Sequence, residues 1–378
     1  MTGPGRSPLH GDHHTDVVVL GAGLTGCLAA WELARRGRRP IVLEAASVGA
    51  GATAADLGHV ATGPRLLYVE AIRRWGREAA REAWEVQREN HDRLRELLAA
   101  LDDDCGYRAD GGFLLAEDRT EGEALAESED TLREDGFSGE FLDHYMLESR
   151  FGVQGFAAAY WCAEDAGLDP RRLVAALAAA AEREGARICE GSTVLALESS
   201  AAGVSAATER GRVEAGTAFV ALEAAAAGLV PFLKGRVTPL PAHWIDVQRD
   251  DALPLPSPAR TCGGEIAWRV LPGGLRVVRF GGGVTGRPAD ERLEDFTRRH
   301  FAPASPRPGP RGAAVAGKSG DGFPFVGAVP GLNGAVACGY GTFGLGWVAL
   351  SVRWAVDGLV TGRDAVPARF RASRGAAP

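Results

Sequence analysis

The stretch DVVVLGAGLTG, Asp16 to Gly26, constrains this chain more than any other. Its apolar run lacks the polar alternation of a half-solvated strand, so it predicts a parallel strand buried on both faces. Gly21, Gly23 and Gly26 follow in the spacing G-x-G-x-x-G and open an Ala/Leu-rich helix that stops at Gly37. A second strand, Pro40 to Leu43, ends on an acid, Glu44. Strand, glycine turn, helix, strand and acid in this order predict a dinucleotide site. Gly21 permits the tight turn, Gly23 lets the backbone approach a pyrophosphate, and Gly26 lets helix and strand pack closely. The N–H groups at the helix start favour the phosphates, and Glu44 can accept hydrogen bonds from a ribose diol. The bland alternative is a glycine turn in an α/β protein that binds nothing.

At 378 residues the chain can bury a large core and is expected to form two domains. Acids outnumber bases, 49 to 42, and no basic run suggests nucleic acid. No apolar stretch reaches a transmembrane length. Residues 1–15 lack the apolar centre of a signal peptide and read as a flexible tail, whose His10, His13 and His14 bind metal only adventitiously. The six cysteines are scattered without a C-x-x-C pair, which argues against zinc or a disulfide framework and for the reducing cytoplasm.

Further along, Ala45 to Gly63 is rich in Gly, Ala, Ser and Thr, a composition suited to close backbone approach to a ligand. Leu66 to Leu101 reads as one long helical region with apolar residues at spacings of three and four. Asp169-Pro170 opens another helix, with the acid as N-cap and proline at the first helical position. Strands, a hairpin and the return strand Phe219 to Leu222 follow, so the first unit is a βαβ sheet carrying a β insertion. Val237 to Gly283 is a second β-rich region, with a hairpin turn at Leu271 to Leu275. The proline-rich segment 301–312 reads as an exposed linker. A glycine run, Gly339 to Gly346, then precedes a helix of about fifteen residues from Trp347.

Four segments in this order resemble the flavin-dependent amine and amino-acid oxidoreductases of the D-amino-acid oxidase type, which include glycine, sarcosine and γ-glutamylputrescine oxidases. They are the first glycine motif with Glu44, the small-residue loop Gly49 to Gly58, the unit Asp169-Pro170 through Val194, and Asp321-Gly322-x-Pro324-x-x-Gly327 with the final glycine run. The resemblance covers nearly the whole chain after the tail. It implies an α/β fold: a Rossmann-like FAD domain (16–66, 150–236 and 310–370) interleaved with an antiparallel-sheet substrate domain (67–149 and 237–309). It implies FAD bound by Gly21, Gly23, Leu24, Thr25, Gly26, Glu44, Ala45, Gly51, Ala52, Thr53, Gly58, His59, Val194, Gly317, Gly341, Thr342, Phe343, Gly344, Leu345 and Gly346. Some relatives attach the flavin to a cysteine in the segment just before D-G-x-P; that segment has none here, so FAD is expected to be non-covalent. The implied reaction moves a hydride equivalent from the carbon of a C–N bond to flavin N5, giving an imine, with oxygen or another acceptor taking the electrons.

The chain departs from the family at two places. Amino-acid oxidising members carry a substrate arginine just before D-G-x-P or in the last glycine loop; here those places hold Lys318 and Thr342-Phe343. A bulky or modified amine is therefore as good an expectation as a simple amino acid. The strand written V-x-A-x-G in the family reads Val220-Ala221-Leu222-Glu223-Ala224, without the glycine. Candidate catalytic residues are His59, His243 and Asp246, any of which could position or deprotonate an amine. Candidate substrate contacts are Trp244, Arg269, Lys318 and Phe343. Alternation puts His243 on one face of its strand with Pro241 and Ile245, and Trp244 with Asp246 on the other. The competing readings are a flavin-binding protein or subunit of this fold without amine oxidase activity, and an NAD-dependent dehydrogenase.

Overall fold

In the computed structural model, which describes residues 6–248, 258–271, 274–281, 289–300 and 307–375, the VVVL segment lies at the centre of an eight-stranded sheet. Strand Gly11–Leu20 pairs in parallel with Gly211–Val220 on one side and Ile41–Leu43 on the other. Arg187–Cys189 adds beside Ile41–Leu43, and Gly334–Cys338 beside Gly211–Val220, both in parallel. Phe325–Ala328 closes the far edge antiparallel. Val17 and Val19 share a core with Leu28 and Leu33 of the helix Leu24–Arg35, Leu177 of Pro170–Arg183 and Val352 of Val348–Thr361. Val18 and Leu20 point the other way, into a core with Val204, Val213 and Leu233. Both faces are covered, which is why the sequence shows no alternation. Each such side chain contributes about 1.5–3 kcal/mol by burial.

The second sheet, also of eight strands, runs in the order 307–319, 237–248, 274–280, 266–271, 259–261, 112–116, 158–162 and 139–143. It is antiparallel except where Ala259–Thr261 lies parallel to Gly112–Ala116. One face carries Ile245, Val247, Trp268 and Val277 against Leu293 and Phe296 of the helix Ala289–His300. The other face carries Leu240, Ala242, Val278 and Phe280 toward the first sheet, where Ala55, Leu57 and Phe343 meet them. The site is built between this face and the carboxyl ends of the parallel strands, the usual ligand crevice of an open α/β sheet.

Several expectations change. Residues 6–15 are not a loose tail: the central strand begins at Gly11, paired with Gly211, and Leu9 is buried with its amide donating to Ser192 Oγ at 2.9 Å. The hairpin 203–215 supplies an edge along which the chain extends outward, a long-range partner invisible in local composition. The boundaries at 150 and 310 leave strand Ala158–Cys162 and most of Arg307–Ser319 with the first domain, whereas both pair within the second sheet. The latter half of the proline-rich segment is strand, not linker. It sits at the sheet edge, where a missing N–H on the outer side breaks no ladder. The long helical region is two helices, Tyr68–Trp75 and Arg77–Ala99, parted at Gly76 with φ +85°. Asp169 caps its helix as its sequence position suggests, accepting from the Arg171 and Arg172 amides at 2.9 and 3.3 Å. The turn residues 272–273 lie outside the described residues.

Candidate active site

A cleft of about 290 Å³ runs from the first glycine turn to the last glycine loop. At one end are Gly21, Gly23, Leu24, Thr25 and Glu44. Gly21 has φ +94°, and a Cβ there would lie 2.6 Å from the Ala221 carbonyl oxygen. Gly26 stands one turn into the helix, where a Cβ would fall 1.8 Å from the Gly21 oxygen. Thr53 Oγ1 accepts from the Leu24 amide at 3.1 Å, holding the small-residue loop against the helix start. Glu44 is pinned rather than free, since its oxygens accept from the Ala22 and Ala46 amides at 2.8 and 2.9 Å. Each carboxylate oxygen keeps a further lone pair, and Glu44 lines the cleft. No acid occupies the first turn of the helix Leu24–Arg35, so its positive end is uncompensated. Gly51, Ala52 and Thr53 line the wall; Ala45 is exposed outside it, and Val194 packs against the core of the far sheet face.

At the other end stand Tyr340, Gly341, Thr342 and Gly344. Gly341 has φ +80°, and a Cβ there would meet no protein atom within 4 Å; its amide donates to Gly317 oxygen at 2.9 Å. The next part of the run does different work from that expected. Leu345 is fully buried and its carbonyl accepts from Asn90 Nδ2 at 2.8 Å. Gly346 is glycine because a Cβ would meet Gln87 Nε2 at 2.8 Å and the Ala61 oxygen at 2.9 Å. The helix that follows is capped from a distance, because Asn90 Oδ1 accepts the Ala349 and Leu350 amides at 2.9 and 3.2 Å. Its first amides are therefore spent on Asn90, and close approach falls to the loop Tyr340–Gly344.

The proposed catalytic residues are drawn away from the cleft. His59 is buried and its Nε2 lies 2.6 Å from Asp165 Oδ2, while Asp165 Oδ1 accepts the Thr62 amide at 2.7 Å. Thr62 Oγ1 in turn lies 3.2 Å from His91 Nε2. Burial pushes the Asp165 carboxyl up, but the hydrogen bond and charge of His59, with Arg260 and His91, outweigh it and leave the group below the ordinary carboxylate range. His59 reaches the site only through Phe343, whose ring stands edge-on with centroids 5.6 Å apart. The buried Arg260 guanidinium packs over the same ring at 4.8 Å and donates to the Pro64 and Gly63 carbonyls at 2.8 and 3.3 Å. Gly58 serves this packing too: with φ +75°, its Cβ would fall 1.8 Å from the Leu168 oxygen.

His243 shares its face with Ile245 and Val247, the side turned from the cleft. Trp244 and Asp246 are on the cleft side, but Asp246 is held bidentately by Arg276 at 2.6 and 2.8 Å, and that guanidinium lies 4.2 Å over the Trp244 ring. Arg269 donates to the Leu168 carbonyl and faces Asp169 at 3.9 Å, so it braces the Asp169 cap rather than a ligand. Phe343 and Lys318 line a second chamber, of about 260 Å³, that shares Tyr340, Gly341 and Thr342 with the first.

Two further carboxyls, Asp56 and Glu223, line the cleft. Burial raises Asp56 to about 6, against a hydrogen bond from the Gly58 amide and the charge of Arg269. Burial raises Glu223 from 4.5 to about 7, against hydrogen bonds from the Gly317, Gly339 and Tyr340 amides. Glu223 Oε2 lies 3.0 and 3.2 Å from the Gly317 and Gly339 nitrogens, so one carboxylate ties the second sheet to the last glycine loop. Its φ is +48°, so the left-handed turn that a glycine would favour falls on Glu223, one residue before Ala224. A raised carboxyl favours the folded state most below its unfolded value and loses that advantage as pH rises through its folded value. Between pH 5 and 8 the ligand-free protein should therefore lose, relative to Glu223→Gln, on the order of 2 kcal/mol. Denaturant unfolding of both proteins across that range checks this, and parallel profiles would refute it.

Residues 16–357 match the family described as FAD dependent oxidoreductase. The chain belongs to that family. Among its relatives, the probable oxidoreductase OrdL of Haemophilus influenzae is 28% identical over 189 residues, 50% of this chain and 44% of that protein. An opine oxidase subunit of Agrobacterium tumefaciens is 29% identical over 197 residues, 50% of this chain and 51% of that one. The chain thus spans about half the length of these relatives. A solved glycine oxidase from Bacillus cereus superposes with a TM-score of 0.77 at 19% identity, covering 92% of this chain and 96% of that one, a likeness of fold. The FAD dependent oxidoreductase assignment displaces the NAD-dependent dehydrogenase reading, and the cleft fits FAD. A methyl on Gly51 or Gly341 would enter open cleft rather than touch protein, the glycine turn and uncompensated helix start suit a diphosphate, and Glu44 suits a ribose. No helix among the described residues is long and apolar enough to cross a membrane.

Proposed function

We propose that the protein oxidises the C–N bond of an amine or amino acid, with non-covalent FAD held along the cleft. The observation that carries this is the pair of adjoining chambers with a common wall at Tyr340, Gly341 and Thr342. One chamber has the diphosphate end, and the other has the aromatic walls of a small-molecule site. None of the described lining residues is a cysteine, which supports a cofactor held without a covalent link.

Bound FAD would supply the two-electron acceptor at flavin N5, taking a hydride equivalent from carbon while the nitrogen lone pair closes the C=N bond and a proton leaves nitrogen. The chain's share is orientation and exclusion of water. Gly21, Gly23 and the start of the helix Leu24–Arg35 would hold the diphosphate, Glu44 a ribose, and the loop Tyr340–Gly344 the reacting ring. Phe343, fixed from behind by His59, Arg260 and Phe280, would present a rigid apolar face to the substrate.

A flavin-binding subunit without amine turnover is the second reading. It is favoured by the withdrawal of His59, His243 and Asp246 from the cleft and by similarity to a protein named as one part of an opine oxidase. The two separate in a turnover assay with α-amino acids, N-alkyl amino acids and polyamines, supplied with oxygen or an artificial acceptor. The first reading predicts a carbonyl product and released amine or ammonia in equal amounts for at least one class. The second predicts none from the isolated chain.

A further inference from the structure

The second chamber is electrically unlike the rest of the molecule. The chain carries a formal charge of −7, yet the charged residues lining this chamber are Arg65, Arg74 and Lys318, with no acid among the described lining residues. They come from two separated segments of the chain, so their convergence is a property of the fold. Arg74 Nη2 donates to the Gly320 carbonyl at 2.9 Å, a neutral partner that leaves its charge uncompensated. Arg65 donates through Nε to the Gly263 carbonyl at 2.9 Å and has only the exposed Glu265, 3.8 Å away. Among the described residues neither Arg74 nor Lys318 has an ion-pair partner. Trp75, Leu240 and Phe343 line the same chamber, and Lys318 bridges to Tyr340 of the shared wall while Arg65 and Arg74 come from another segment.

We infer that this chamber reads an anionic group carried by the substrate away from the reacting C–N bond. The inference rests on the amine-oxidising reading and narrows it. The substrate class is an amine with an apolar or aromatic body and a carboxylate or other anion at its far end. The body fits the aromatic and aliphatic walls, the anion meets Arg65 and Arg74, and the C–N carbon lies toward Tyr340–Thr342. A cation cluster on a partly enclosed wall also draws anions in, which raises the rate of encounter at low salt.

The test needs no turnover. The FAD-loaded protein is titrated with 3-phenylpropionate and with the uncharged 3-phenylpropionamide, following the visible flavin band. The same titrations on ligand-free protein follow tryptophan fluorescence, to which Trp75 and Trp347 contribute in the chamber. The acid should bind about tenfold more tightly than the amide, and its advantage should shrink as salt rises. The variants Arg65→Gln and Arg74→Gln, both at the solvent side, should each remove most of that advantage while leaving amide binding and FAD affinity within about twofold. Equal affinity for acid and amide in wild type, or an unchanged ratio in the double variant, would overturn the inference. Because the readout is binding, a protein that turns over no amine can still show the charge preference, and one that turns over amines can still lack it.

Discussion

Asp165→Ala is expected to lower the stability of the protein by about 3–5 kcal/mol, the cost of removing one partner from a buried charged network. Asp165 is almost wholly buried and answers His59 Nε2 and the Thr62 amide, while Arg260, buried to a similar degree, has it as the main favourable charge. Without the carboxylate, Arg260 is left charged in a dry setting, and burial already pushes its pKa down. Phe343 leans on both His59 and Arg260, so the loss should also reach the cofactor cleft as weaker FAD retention. The sign with pH follows from the depressed carboxyl. Its contribution is present above the ordinary carboxylate value of about 4 and disappears as pH falls through the lower folded value. Wild type and Asp165→Ala should therefore differ most near neutrality and converge in acid, measured by denaturant unfolding with fluorescence and circular dichroism in parallel. A variant as stable as wild type at pH 7 would show that the network is idle.

Gly26→Ala should abolish retention of FAD through purification, with affinity lowered more than about 100-fold. The added Cβ would sit 1.8 Å from the Gly21 carbonyl oxygen and 2.9 Å from its carbon, both backbone atoms of the diphosphate turn. Neither can retreat without moving the turn, and overpacking of this kind costs about 1–3 kcal/mol in stability besides. Gly228→Ala is the control, since its Cβ meets nothing within 4 Å and its φ is unremarkable, so FAD should be kept. Calorimetric titration of the refolded apoproteins with FAD reads both. Equal affinity in Gly26→Ala and wild type would refute the assigned role of the turn.

These two variants mark what sequence can and cannot disclose. The glycine turn is local: within 29 residues, Asp16 to Glu44 fix a strand, a turn, a helix and an acid by propensity and spacing, and the structure builds them as read. Asp165, Arg260 and Asn90 are legible only after folding. His59 and Asp165 lie 106 residues apart, and Asn90 caps a helix more than 250 residues away. Nothing in the neighbourhood of any of them distinguishes it from an ordinary polar residue. Alternation puts His243 and Asp246 on opposite faces of their strand, but it does not say which face meets the cleft or that Arg276 closes on Asp246. The first residues look like a tail for a related reason, because their strand exists only against residues 211–215. Glu223 is the intermediate case. The missing glycine is visible in the sequence, yet only the fold shows a glutamate bearing the left-handed turn and bridging the Gly317 and Gly339 amides.

The central claim is that this cleft holds FAD and that an amine reduces it. Its most direct test is anaerobic mixing of the FAD-loaded protein with α-amino acids, N-alkyl amino acids, polyamines and amines bearing a distant carboxylate. The visible flavin band is followed throughout. The account predicts that the band bleaches with at least one of these classes, at a rate that falls severalfold when the carbon-bound hydrogen next to nitrogen is deuterium. A protein that binds FAD and keeps its band unbleached across the panel would contradict it.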